Sequence, residues 1–81
     1  MAATRQDVDR WIATAKENGD KYVLSVCDTF DYEDYPVYFK SKDLLEEKYW
    51  DYNGSNMQRV NEIIRINDDG TVDENLRMNQ L

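Results

Sequence analysis

Four carboxylates crowd one short stretch of this chain, Asp28-Thr29-Phe30-Asp31-Tyr32-Glu33-Asp34, with no base among them. Oxygen-rich clusters of this kind are what Ca²⁺ and Mg²⁺ require, so cation binding is the first chemistry to weigh. The spacing matches no established calcium loop. A second acidic stretch, Asn67-Asp68-Asp69-Gly70, carries the glycine of an EF-hand loop. Aligning Gly70 with that glycine puts Arg65 at the first ligand position and Leu76 where the bidentate acid belongs, so the motif fails. In the simplest alternative the first cluster is a solvated turn in which Asp28 or Asp31 caps backbone amides.

Catalytic alternatives are few. The chain has no histidine, which removes Ser-His-Asp and Cys-His nucleophilic mechanisms and the usual zinc and non-haem iron sites. Its single cysteine, Cys27, lies in an apolar run with no neighbouring base and no helix N-terminus to lower its pKa, and reads as a packed thiol. Asp34 followed by Glu46 and Lys48 imitates the acid…Glu-x-Lys set of metal-dependent nucleases. The spacing of Leu44, Leu45 and Tyr49 makes that second stretch a helix, with Glu46 and Lys48 on its solvated side. No catalytic residue, metal ligand or cofactor is therefore assigned.

The aromatic residues interleaved with these acids are the better lead. Phe30 and Tyr35 are expected to fill the core, while Tyr32, at the loop tip, is expected to be exposed. Exposed tyrosines make effective binding anchors because they bury much area at low entropic cost. Asp31, Tyr32, Glu33, Asp34 and Tyr38 are the candidate binding residues, for an unidentified protein partner.

These residues need positioning elements. Thr4, with Asp7 three residues on, resembles a capping box, and Val8, Trp11, Ile12 and Ala15 then form one stripe of an amphipathic helix ended by Asn18-Gly19. Lys21 to Asp28 reads as a strand apolar on both faces, which belongs at the centre of a sheet. Tyr35 to Phe39 reads as its hairpin partner, with Pro36 confining that strand to an edge. Ser41 opens a second helix carrying Leu44, Leu45, Lys48, Tyr49 and Tyr52, closed by Asn53-Gly54.

Met57 to Ile66 is ambiguous. Val60, Ile63 and Ile64 suit a helix, whereas Val60, Ile64 and Ile66 suit a strand interrupted by Glu62, and the β-branched run Ile63-Ile64-Arg65-Ile66 favours the strand. Thr71 with Glu74, followed by Val72 and Leu76, predicts a short C-terminal helix. The expected fold is α+β in the order α-β-β-α-β: a three-stranded antiparallel sheet of order 2-1-3 with both helices on one face. That two-layer sandwich leaves the opposite, tyrosine-bearing face open for binding, or for self-association as a homodimer.

Composition narrows the partners. The 81 residues make one small domain, its ends at 1–3 and 77–81 expected to fray. Seventeen acids against ten bases leave a net charge of -7, which disfavours direct contact with nucleic-acid phosphates or anionic lipid. Ten aromatics set the chain apart from disordered acidic tails. A lone cysteine suits a reducing compartment. No stretch approaches the roughly 20 apolar residues of a membrane span, and the first residues lack the basic start and apolar core of a signal peptide, so a cytoplasmic location is expected.

The strings VCDTFDYEDYPVY (26–38) and NGSNMQRVNEI (53–63) resemble those of a group of small uncharacterised proteins encoded by phages and bacteria, some within prophages. The resemblance runs roughly from Thr4 to Ile66. It implies a short accessory protein acting in a bacterial cytoplasm, against a host component, and brings no activity, ligand or catalytic residue with it. The expected role is a non-enzymatic acidic interaction module. Cation binding at the acidic loop, a self-associating structural role and nucleic-acid mimicry are the alternatives.

Overall fold

A computed structural model describes residues 3–54 and 57–81. Helix α1 spans Arg5–Asn18, strand β1 Tyr22–Asp28, β2 Glu33–Phe39, helix α2 Lys42–Tyr52, β3 Gln58–Ile66 and β4 Val72–Leu76, and a 3₁₀ turn follows at Met78–Gln80. The strands form one antiparallel sheet in the order β2-β1-β3-β4. The α+β class, the antiparallel sheet and the central place of β1 agree with the sequence reading. The count of three strands does not.

Helix α1 begins as its sequence dictates. The Thr4 hydroxyl accepts from the Asp7 amide while the Asp7 carboxylate accepts from the Thr4 amide, satisfying donors that a helix start leaves unpaired. At the other end Gly19 adopts φ 77°, a left-handed conformation that glycine takes without a side-chain clash.

The helices lie on opposite faces of the sheet, which corrects the two-layer expectation. Val8, Trp11, Ile12 and Ala15 of α1 pack on Val23, Ile64 and Ile66. Leu45 of α2 packs on Leu24, Val26, Phe39 and Ile63, flanked by Tyr22, Tyr35, Tyr49 and Tyr52. Successive β1 side chains point to opposite faces, yet Val23, Leu24 and Val26 are all fully buried, so each face requires its own cover. The crossover rule supplies the reason for α2: it joins parallel strands β2 and β3 across β1, and the right-handed preference of such connections commits it to one face. The tyrosines expected on an open face are largely core instead.

The expected C-terminal helix is a strand. Asn67 to Thr71 form a tight turn in which the Asn67 amide donates to the Thr71 carbonyl and the Gly70 amide to the Asn67 carbonyl. Asp69 accepts from both the amide and the hydroxyl of Thr71, consuming the residue that would have capped a helix. Val72 then pairs with Ile66 and Asp73 with Arg65.

Two bulges change which face later residues occupy. On β3, Glu62 opposes Ser25 and Val60 opposes Val26, leaving Asn61 as the extra residue; on β4 the register shifts beside Asn75, at φ 57°. An extra residue reverses the alternation beyond it, so Val60 joins the α2 cluster while Ile64 and Ile66 join the α1 cluster. Val72 and Leu76 are divided in the same way. Of the ends expected to fray, residues 1 and 2 lie outside the described residues. Ala3 is hydrogen-bonded to Asp34, and Met78 and Leu81 pack beneath α2.

Candidate functional site

The acidic loop is organised by its first carboxylate. The pair Asp28–Glu33 closes the hairpin; Asp28 Oδ1 accepts from the amides of Phe30 (2.9 Å) and Asp31 (3.3 Å), and the Asp28 carbonyl accepts from the Tyr32 amide. Tyr32 sits in the left-handed region at φ 58°, a conformation that costs a non-glycine residue about 1 kcal/mol. This turn directs both aromatic rings outward, Phe30 and Tyr32 each being 69% exposed. Exposure of Tyr32 matches expectation; Phe30, expected in the core, is corrected, because a four-residue connection clasped by Asp28 leaves no chain to fold the ring back.

A second loop is fastened beside the first. Both the amide and the hydroxyl of Thr29 donate to the Met57 carbonyl, at 2.8 and 2.7 Å, and the Met57 side chain is exposed. Phe30, Tyr32 and Met57 thus emerge at the same end of the sheet, with Asp31 and Glu33 exposed around them.

The carboxylates diverge. Asp28 and Glu33 lie on the α2 side of the sheet and Asp34 on the α1 side, as the alternation of the paired strands requires. Asp34 Oδ2 accepts from the Ala3 amide at 2.6 Å, tying the segment before α1 to β2. Among the described residues no three of Asp, Glu and Cys are grouped to hold a metal ion. Glu46 and Lys48 belong to α2, across the sheet from Asp34, so the nuclease-like set does not converge. Tyr38 packs beneath α1, where burial pushes its phenol above the usual range. It does not join the tip.

Helix α1 covers only part of its face. Beside its N-terminal end a pocket of about 340 Å³ opens over Ser25 and Cys27, with Asp34, Arg59, Asn61 and Glu62 around them and Ala3, Val8 and Tyr32 at the walls. Asp34, Cys27 and Arg59 form one row across three strands, and Ser25 opposes Glu62. Burial raises the Cys27 thiol above its ordinary value, and the neighbouring Asp34 carboxylate raises it further; the thiol donates to the Asp28 carbonyl at 3.7 Å. The thiol is therefore protonated at neutral pH, as the sequence context suggests. Two of the sequence-predicted residues, Tyr32 and Asp34, reach this pocket. Ser25, Arg59, Asn61 and Glu62 were not singled out. The signal for the β3 residues was polarity: Arg59, Asn61 and Glu62 stand in the largely polar first half of a strand beside the sheet's centre.

A second cavity, about 330 Å³, lies at the other end near Lys21, Lys42 and Arg65. Its cations are already engaged, Lys21 by Asp68, Arg65 by Asp73 and Lys42 by the Leu81 carbonyl.

No helix among the described residues is long and apolar enough to cross a membrane. No known family model, curated protein or solved structure matches this chain.

Proposed function

We propose that this chain is an acidic protein-interaction module that docks through the hairpin end of its sheet, acting as a phage or prophage accessory on a bacterial protein. The observation that carries the reading is the exposure of Phe30 and Tyr32 beside Met57, on two loops joined by the Thr29 hydrogen bonds. Large rings concentrated at one place are the usual anchors of protein interfaces. Loops held in advance lose less entropy on docking. Asp31 and Glu33 at the margin, with the net charge of -7, favour a partner whose contact surface is basic at its edge and apolar at its centre, and steer its approach.

The test is capture from a bacterial lysate with the wild-type chain and with the double variant Phe30→Ala/Tyr32→Ala as parallel baits. Both rings are solvated, so the variant should melt with the wild type. A prey held by the wild type and lost by the variant, with retention weakening as salt rises, supports the reading. A prey held equally by both baits, or nothing above background on either, defeats it.

A further inference from the structure

We propose that the pocket beside the N-terminal end of α1 binds a small zwitterion of the α-amino-acid class, its carboxylate on Arg59 and its ammonium on Glu62. It does not rest on the docking role assigned to the hairpin tip, although Tyr32 takes part in both.

Ser25 provides the first indication. It is 3% exposed and lies at the pocket, and its hydroxyl makes no hydrogen bond to the described residues. No fully sealed side-chain oxygen or nitrogen among those residues lacks a partner, so the Ser25 hydroxyl faces the pocket and not a closed void. A ligand at the pocket floor would find in this hydroxyl a donor and acceptor not taken by the protein.

Charge supplies the second indication. Arg59 makes no ion pair with any described residue, although acids outnumber bases seventeen to ten. Its guanidinium therefore retains the planar fork that grips a carboxylate through two hydrogen bonds. On the same strand, across the bulge at Asn61, stands Glu62, with one oxygen taken by the Asn75 amide and the other unclaimed. Asp34 stands two strands from Arg59, about 10 Å away at the backbone by ordinary strand spacing.

Arg59 and Glu62 thus offer opposite charges at one pocket, and a molecule carrying both charges complements the pair where a simple anion or cation would answer only one of them. Ala3, Val8 and the Tyr32 ring supply apolar surface for its side chain, and about 340 Å³ falls at the lower end of the range for small-molecule sites, roughly 300–1,000 Å³.

The experiment is a backbone amide NMR titration of the full chain with L-phenylalanine and L-leucine, and in separate arms with N-acetyl-L-phenylalanine and L-phenylalaninamide. Expected are saturable shifts centred on the amides of Ser25, Cys27, Arg59 and Asn61, with a Kd of about 1 mM or tighter. Each blocked analogue and the Arg59→Gln variant should bind roughly tenfold or more weakly, and Ser25→Ala should also lose affinity. Arg59 is exposed, so its variant should keep the fold, which the dispersion of the remaining amide signals checks directly. Absence of saturable shifts, equal binding of the blocked analogues, or unchanged affinity in Arg59→Gln would overturn the assignment.

Discussion

Leu45 offers the sharpest test of the three-layer arrangement. It is fully buried, and it is the one α2 residue in the buried class. Truncation to alanine removes its transfer energy and leaves a cavity against Leu24, Val26, Phe39 and Ile63, which places the expected loss at about 3 kcal/mol within the usual range of roughly 2–5. A domain of this size has a total stability of about 4–12 kcal/mol, so Leu45→Ala should move the urea midpoint substantially. Leu44→Ala, at a 45% exposed neighbour, should cost less than about 1 kcal/mol.

The discriminating step is a double-mutant cycle. Ile12 belongs to the cluster under α1 and Leu45 to the cluster under α2, with the sheet between them. Ile12→Val and Leu45→Ala should therefore add to within about 0.5 kcal/mol, whereas Ile63→Val, in direct company with Leu45, should couple to it by about 0.5 kcal/mol or more. Urea unfolding followed by circular dichroism, with m-values checked for constancy, measures all the terms. Strong coupling between Ile12 and Leu45, or a negligible cost for Leu45→Ala, would refute helices on opposite faces.

Two further predictions concern titrating groups. Because burial and Asp34 hold the Cys27 thiol above its ordinary value of 9.0, iodoacetamide should alkylate it more slowly than free cysteine at pH 7.5, and the rate should still be rising with pH at 9, where it has not yet levelled off; mass spectrometry follows the adduct, and a rate equal to that of free cysteine would contradict the assignment. Hydrogen bonds from Arg65 and Asn67 hold the Asp73 carboxyl below 3.8, so its folded pKa lies under its unfolded one and its contribution is complete above pH 3.8, fading as pH falls through the folded value. The melting-temperature deficit of Asp73→Asn should accordingly be present at neutral pH and close in acid, and a deficit that ignores pH would count against the Arg65–Asp73 contact.

Local sequence determined the elements wherever one short-range signal dominated. Thr4 and Asp7 specified the start of α1 and Gly19 its end, since capping needs only neighbouring atoms. The two-sided apolar character of β1 specified its central place, and Pro36 sits on β2 at the sheet's edge, where its missing donor is harmless. The turn carboxylate Asp28 and the outward Tyr32 were also legible, because both are consequences of a tight hairpin.

Tertiary structure decided what depends on more distant pairing. The bulge at Asn61 shifts Val60 out of phase with Ile64 and Ile66, which is why β3 has a mixed helix-and-strand signature and why no single period identifies its faces. Thr71 and Glu74 can cap a helix in isolation, but the available edge of β3 offers a full ladder to Val72–Leu76, and pairing wins over a helix too short to be stable alone. The face taken by α2 follows from a crossover between two strands distant in sequence; with α1 on the other face no sheet face stays open, and Tyr38, expected to bind, lies beneath α1. The pocket assembles Ser25 and Cys27 of β1, Asp34 of β2 and Arg59 and Glu62 of β3 across three strands. Their proximity is set by register, and register is a property of the folded sheet that no one segment carries.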